Sequence, residues 1–363
     1  MTVPKNLTFF PPPSSPSLCH KEVIYDIALT STHLITCSQD KTLRIWSLST
    51  HLPIHSSPLT GGHTGSILCV AVLETEGLVV AGSADASLCC WDIESGVLVK
   101  RIEHAHTESV LSVLVSADGK WVVTGGKDRV VKVWERGVLG FVRPSEAQAQ
   151  SHSQLQPQPT AILSEGITAA VNAVAISSSH IISGSGDRGI KIWNLGAPWA
   201  CVKTIRVHEK GVASLVLSQD GTKLVSGSSD QTMRVFDLET GAEELCFRDH
   251  DNLVRRVCVP PNVNVEGGGN GGLKCIVSGS YDEHVVVRRR DAGVEGGWAV
   301  HKVHIGEMAK QFWERCDAGE ERWEERAFNW IGGLKRVFSV KSDGKRVFVS
   351  AQMGFVVSFD LDA

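Results

Sequence analysis

The sequence predicts an all-β chain folded as a single seven-bladed β-propeller, with an N-terminal closing strand and a helical insertion between blades six and seven. Three observations predict it. An aspartate stands six positions before an aromatic residue in five successive segments: Asp40 and Trp46, Asp85 and Trp91, Asp128 and Trp134, Asp187 and Trp193, Asp230 and Phe236. A histidine recurs 22 positions before that aspartate in three of them, as His63, His106 and His208. Between histidine and aspartate lie two apolar runs parted by a glycine-containing turn, as in "SVLSVLVSADGKWVVTGG". A repeat of about 40 residues made of four short strands is the signature of a propeller blade.

The leading segment, residues 1–19, contains one strand-like stretch, "NLTFF" at 6–10, followed by a proline-rich loop that ends any ladder. The last repeat finishes at "FVVSFDLDA", leaving no sequence for an outer strand. Residues 6–10 are therefore expected to pair beside that final strand and close the ring, which removes exposed edges.

The propeller itself is expected over residues 20–360. Blade one places His20, Thr36, Asp40 and Trp46 at the recurring positions, and blade three places His106, Thr124, Asp128 and Trp134 there. Blade two has His63, Asp85 and Trp91, with Ala81 where a hydroxyl recurs. Blade four has Ser183, Asp187 and Trp193, with Ile167 in the histidine position; blade five has His208, Ser226 and Asp230, with Phe236 in the tryptophan position. Blade seven is decayed: it keeps Ser350, with Met353 in the aspartate position and Phe359 in the aromatic one.

Blade six, "SGSYDEHVVVRRR", keeps His250, Ser278 and Asp282 but carries Arg288 in the aromatic position. A planar guanidinium there is expected to stack on its neighbours and to donate to Ser278 or Asp282, as an indole would. Arg289 and Arg290 follow the strand outward to water.

Three insertions, at about 136–160, 260–272 and 306–332, exceed the ordinary repeat. The first is polar and Gln-rich, and both "VLGFV" and "TAIL" fit the outer strand of blade three. The second, rich in Gly and Pro, reads as a tolerated excursion of a turn. The third mixes Met308, Phe312, Trp313, Trp323, Phe328 and Trp330 with acids and arginines at helical spacing. Its aromatics either pack on blades six and seven or present a surface to a partner.

A formal net charge of -4 gives no general attraction to nucleic acid or anionic lipid. No apolar run reaches the roughly 18–20 residues that span a bilayer, so no membrane insertion is expected. The N-terminus lacks the pattern of a secretory or organelle presequence, which leaves a cytoplasmic or nuclear address. None of the ten cysteines forms a C-x-x-C pair, and most sit in apolar runs as reduced core residues. There is no H-E-x-x-H, no phosphate loop with its lysine and no His and Cys cluster at metal spacing, so neither metal nor other cofactor is expected. Histidine, hydroxyl and aspartate recur together, yet a catalytic triad needs one exposed nucleophile beside an oxyanion site, and a set copied around a ring is a scaffold. No enzymatic activity is expected.

The repeated "SGSGDRGIKIWN" pattern resembles the WD-repeat propellers over roughly residues 20–360. The resemblance implies that each complete set of His, Ser or Thr, Asp and Trp forms a hydrogen-bonded tetrad, and that the loops bearing the histidine and the aspartate turn share one face that commonly docks partners. On that face, the residue before each aspartate and the residue after the first apolar position of each inner strand are expected to line the central opening. Tyr25, Gln39, Lys127, Asn172, Arg255, Tyr281 and Phe338, with Arg336 nearby, are the candidates; their cations and aromatics have hot-spot composition. They suit other proteins as partners, in particular acidic or phosphorylated peptides.

The expected function is a non-catalytic interaction scaffold or substrate-recognition adaptor. The spacing is similar to that of F-box substrate receptors, although the segment before residue 20 is too short for an F-box. Alternatives are a substrate receptor in ubiquitin-dependent degradation, a scaffold in RNA processing or signalling, and an organelle-division adaptor.

Overall fold

A computed structural model describes residues 6–12, 14–141, 156–261, 273–291, 294, 297–307, 336–352 and 354–361. Seven antiparallel sheets make the chain a seven-bladed β-propeller. Blade one comprises Ile24–Leu29, His33–Ser38 and Leu43–Ser47; blade two comprises Ile67–Leu73, Leu78–Ser83, Leu88–Asp92 and Leu98–Ile102. Blade three is Val110–Val115, Trp121–Gly126, Val131–Glu135 and Ala161–Leu163, and blade four is Val171–Ile176, His180–Ser185, Ile190–Asn194 and Cys201–Ile205. Blade five is Val212–Leu217, Lys223–Ser228, Met233–Asp237 and Glu243–Phe247, and blade six is Val254–Cys258, Cys275–Ser280, His284–Arg290 and Trp298–His304. Blade seven is Val337–Ser342, Arg346–Ala351 and Val356–Asp360, with Thr8–Phe10 as its fourth strand. The chain divides into two compact units, Tyr25–Leu215 and Met1–Ile24 with Val216–Ala363.

The fourth strand of blade seven comes from the start of the chain: Thr8 pairs with Ser358, Phe9 with Val357 and Phe10 with Val356. Burial drives the pairing. Phe10 is fully buried with its ring 6.0 Å from Phe348, and Phe9 packs 5.7 Å from Phe355. Nearby, the His20 amide donates to Gly354 O at 2.9 Å, and a Cβ on Gly354 would meet His20 O at 2.0 Å, so only glycine fits.

Glycine also sets how closely neighbouring blades pack. A Cβ added at Gly82, Gly125 or Gly184 would lie 2.6, 2.7 or 2.7 Å from a methyl of Val110, Val171 or Val212, the first residue of the next blade's inner strand. Gly227 with Val254 and Gly279 with Val337 repeat the contact at 2.8 and 2.5 Å. In blades two to six, the glycine three positions before the turn aspartate is thus the seat for a valine of the following sheet.

Blade one departs from the expected four strands. Leu43 and Leu59 exchange backbone bonds at 3.1 and 2.9 Å, and Ser47 N donates to Leu52 O at 2.9 Å, but the segment between makes only isolated bridges. Pro53 and Pro58 lack the N–H that a ladder requires.

In blade three the outer strand is Ala161–Leu163, paired with Val131–Val133, while Arg136–Leu139 is a short helix. Most of the 136–160 and 260–272 insertions, nearly all of 306–332, and Met353 lie outside the described residues.

Candidate interaction surface

The recurring polar residues are built on one hairpin geometry. In blade three, Thr124 pairs with Lys132 across the strands, which puts its hydroxyl 3.0 Å from Trp134 Nε1 and 2.8 Å from His106 Nε2. His106 Nδ1 lies 2.9 Å from Asp128 Oδ1 and closes the set. Blade one shows the same bond from Trp46 to Thr36 at 3.0 Å, and blade four from Trp193 to Ser183 at 3.0 Å. In blade six, His250 lies 2.9 Å from Asp282 and 2.8 Å from Ser278. Burial alone would raise the Asp282 carboxyl, but His250 and the amides of Asp251 and His284 outweigh it and hold the group well below the usual carboxylate range.

Blade two differs. His63 Nδ1 binds Ser87 Oγ at 2.7 Å and stands 3.5 Å from Asp85. In blade five, Asp230 takes the amide and hydroxyl of Thr232 at 2.9 and 2.6 Å; His208 and Ser226 are buried, as is Phe236.

Sequence reasoning missed the hydroxyl residues flanking several of the turn aspartates. Thr42, Ser87 and Thr232, two positions after it, each donate a hydroxyl at 2.6 Å, and Ser38, Ser83, Ser228 and Ser280, two before it, accept its amide at 3.1–3.2 Å. Their recurrence at fixed offsets is a signal visible in the sequence. Asp26 was missed too: it is buried on an inner strand and accepts the amides of Ile27 and Val70 at 3.0 and 3.3 Å.

Arg288 stacks on a neighbouring ring as expected but corrects the hydrogen-bond partners drawn for it. It donates to neither Ser278 nor Asp282. Its Nε reaches Asp249 Oδ2 at 2.6 Å, and its Cζ lies 3.9 Å from the centroid of the Phe247 ring in blade five. A guanidinium is longer than an indole and forked, so it passes the tetrad and finds a carboxylate beyond it. Arg289 also stays in protein contact, donating to Leu361 O, while Arg290 is exposed and lies 4.7 Å over Trp298.

The candidate rim residues follow a structural rule. Asn172, Arg255 and Phe338, together with Leu68 and Leu111 at the equivalent positions of blades two and three, each fall where the inner strand skips register against its partner. A bulge of this kind turns one side chain away from the sheet alternation. Three candidates come together: Tyr281 and Phe338 meet edge to face at 5.3 Å, and exposed Arg336 lies 5.1 Å over Tyr281. Phe338 is itself buried, so Tyr281 and Arg336 are the accessible part.

The others are separately occupied. Tyr25 donates to exposed Gln39 at 3.3 Å, Asn172 to Val212 O at 2.9 Å, and Lys127 pairs with Glu108 at 3.4 Å on the surface. Arg255 is half-buried. Among the described residues, no group of three or more His, Cys, Asp or Glu is arranged to hold a metal, and no helix is long and apolar enough to cross a membrane.

A profile of the WD domain, G-beta repeat, matches residues 15–47, 55–92, 96–135, 158–194 and 199–237, more than half of the chain. The chain belongs to the WD-repeat family. WD-repeat propellers are in general non-catalytic scaffolds for protein interactions. The profile matches the first five blades; blades six and seven, with Arg288 and Phe359 in the tryptophan position, lie beyond it.

Among WD-repeat relatives, the "Nuclear distribution protein nudF" of Aspergillus niger is 29% identical over 218 residues, 58% of this chain and 47% of that protein. The "Nuclear distribution protein PAC1" of Yarrowia lipolytica is 29% identical over 258 residues, 70% of this chain and 55% of that one. An "Uncharacterized WD repeat-containing protein C126.01c" of Schizosaccharomyces pombe is 26% identical over 254 residues, covering 61% and 66%. The chain spans about half the length of the nudF and PAC1 proteins it matches.

Proposed function

We propose that this chain is a substrate-recognition adaptor or scaffold of the cytoplasm or nucleus that binds acidic or phosphorylated peptides of partner proteins without catalysing a reaction. The observation that carries this reading is the stack of Arg336 on Tyr281, whose ring in turn meets Phe338, beside the Asp282 turn. An exposed guanidinium offers a fork that matches carboxylate and phosphate oxygens, and the tyrosine beneath it supplies rigid contact area. A second reading, a part in nuclear distribution, is favoured by the names of the nudF and PAC1 relatives.

The test uses an array of aspartate- and glutamate-rich peptides with their phosphoserine counterparts. Wild type is compared with Tyr281→Ala and Arg336→Ala variants of unchanged melting temperature. Binding is expected to weaken on the order of 10-fold in either variant and to fall with added salt. Equal binding by all three proteins would remove the stack as the recognition site.

A further inference from the structure

We propose that blade two holds a single structural water in place of the hydroxyl that Ala81 lacks. The other blades show what that position does. Thr36, Thr124 and Ser183 each accept a tryptophan indole N–H at 3.0 Å, and Thr124 also meets a histidine Nε2 at 2.8 Å. Ala81 occupies the same register: it pairs with Cys89 as Thr36 pairs with Arg44, Thr124 with Lys132 and Ser183 with Lys191.

The two groups that the hydroxyl would serve are present and buried. Trp91 is 1% exposed and the His63 side chain 0%, and neither Trp91 Nε1 nor His63 Nε2 has a hydrogen-bond partner in the protein. Their rings lie 5.5 Å apart. Leaving both nitrogens unmade in the interior is costly, and a native core seldom does so.

The proton inventory fits a water. Ser87 Oγ donates to Asp85 Oδ1 at 2.6 Å, so it accepts from His63 Nδ1 at 2.7 Å. That places an imidazole proton on Nδ1, and the neutral ring then offers Nε2 as an acceptor. The indole N–H is a donor only. One water accepts from Trp91 and donates to His63. Its second hydrogen faces the carbonyl of Cys89, as the hydroxyls of Thr36 and Thr124 lie 3.3 and 3.5 Å from Arg44 O and Lys132 O. Three polar partners are what a buried water typically has. The Cys89 thiol does not compete, because it is turned to Gly62 O at 3.1 Å.

The test compares wild type with Ala81→Ser and Ala81→Val. A high-resolution crystal structure of wild type is expected to show a water within hydrogen-bond distance of Trp91 Nε1 and His63 Nε2, displaced in Ala81→Ser by the serine hydroxyl. Serine is expected to raise the melting temperature by about 2 °C, since it makes the same bonds without immobilising a solvent molecule. Valine is expected to lower it, because its methyls exclude water and orphan both nitrogens. Density absent in wild type, or valine as stable as serine, would overturn the proposal and mean that the rings meet dry. Should a variant fail to fold, a magnetisation-transfer signal between water and the Trp91 indole proton decides the matter on wild type alone.

Discussion

Arg288 and Asp249 form a two-pronged ion pair, with Nε to Oδ2 at 2.6 Å, and side chains only 12% and 16% exposed. The residue in a tryptophan position therefore serves a carboxylate that other blades do not carry there. Replacing it with the family's usual aromatic strands that carboxylate. Arg288→Trp is expected to destabilise the fold by about 2–3 kcal/mol in denaturant titrations. Adding Asp249→Asn is expected to return much of the loss, a coupling that a double-mutant cycle measures.

The residue after each turn aspartate is held in the left-handed region: Lys41, Ala86, Arg129, Arg188, Gln231 and Glu283 have φ between 66° and 72°. A side chain there is strained, and glycine is not. Ala86→Gly is expected to stabilise blade two, by about 0.5–1 kcal/mol after the added freedom of the unfolded chain is offset. Differential scanning calorimetry reads the change, and an unchanged or lower melting temperature would refute it.

Asp85, Asp128, Asp187 and Asp282 all have their carboxyls held below the ordinary value of 3.8. In each, burial works the other way and hydrogen bonds prevail. A depressed folded pKa means that the unfolded chain binds protons first as pH falls. The stabilisation is therefore complete above about pH 5 and drains away below about pH 4. Asp282→Asn is expected to be less stable at neutral pH yet to lose less stability between about pH 5 and pH 3. Parallel acid titrations followed by circular dichroism would contradict this if the two slopes were equal.

Phe10 is fully buried in the strand that completes blade seven. Phe10→Ala is expected to cost about 3–4 kcal/mol. Deleting residues 1–10 removes the ladder as well and is expected to lower the melting temperature further. A truncated chain that melted like the full one would show that the strand adds nothing.

The sequence made the blades legible because a hairpin fixes distances along the chain. Aspartate and tryptophan are six apart because one turn and one strand separate them, so the pattern survives wherever the hairpin does. The partner of Arg288 was not legible, because Asp249 lies 39 positions away and is brought near only by the packing of one blade on the next. Blade one's irregular edge was legible in Pro53 and Pro58, which a search for four strands passes over. The rim was partly legible. Position predicts a bulge at Asn172 and Phe338 alike, but only the identities of their neighbours make Phe338 part of an aromatic cluster and tie Asn172 to a carbonyl.

The pairing of Thr8–Phe10 with Val356–Ser358 also has a consequence in time. A ribosome releases the first of these strands long before the second, an interval of tens of seconds at ordinary elongation rates. Throughout it, Phe9 and Phe10 are two adjacent aromatics without the strand that buries them. The sheet that buries these two rings is thus complete only once Val356–Ser358 has been made, so synthesis and the closing of blade seven are coupled in order.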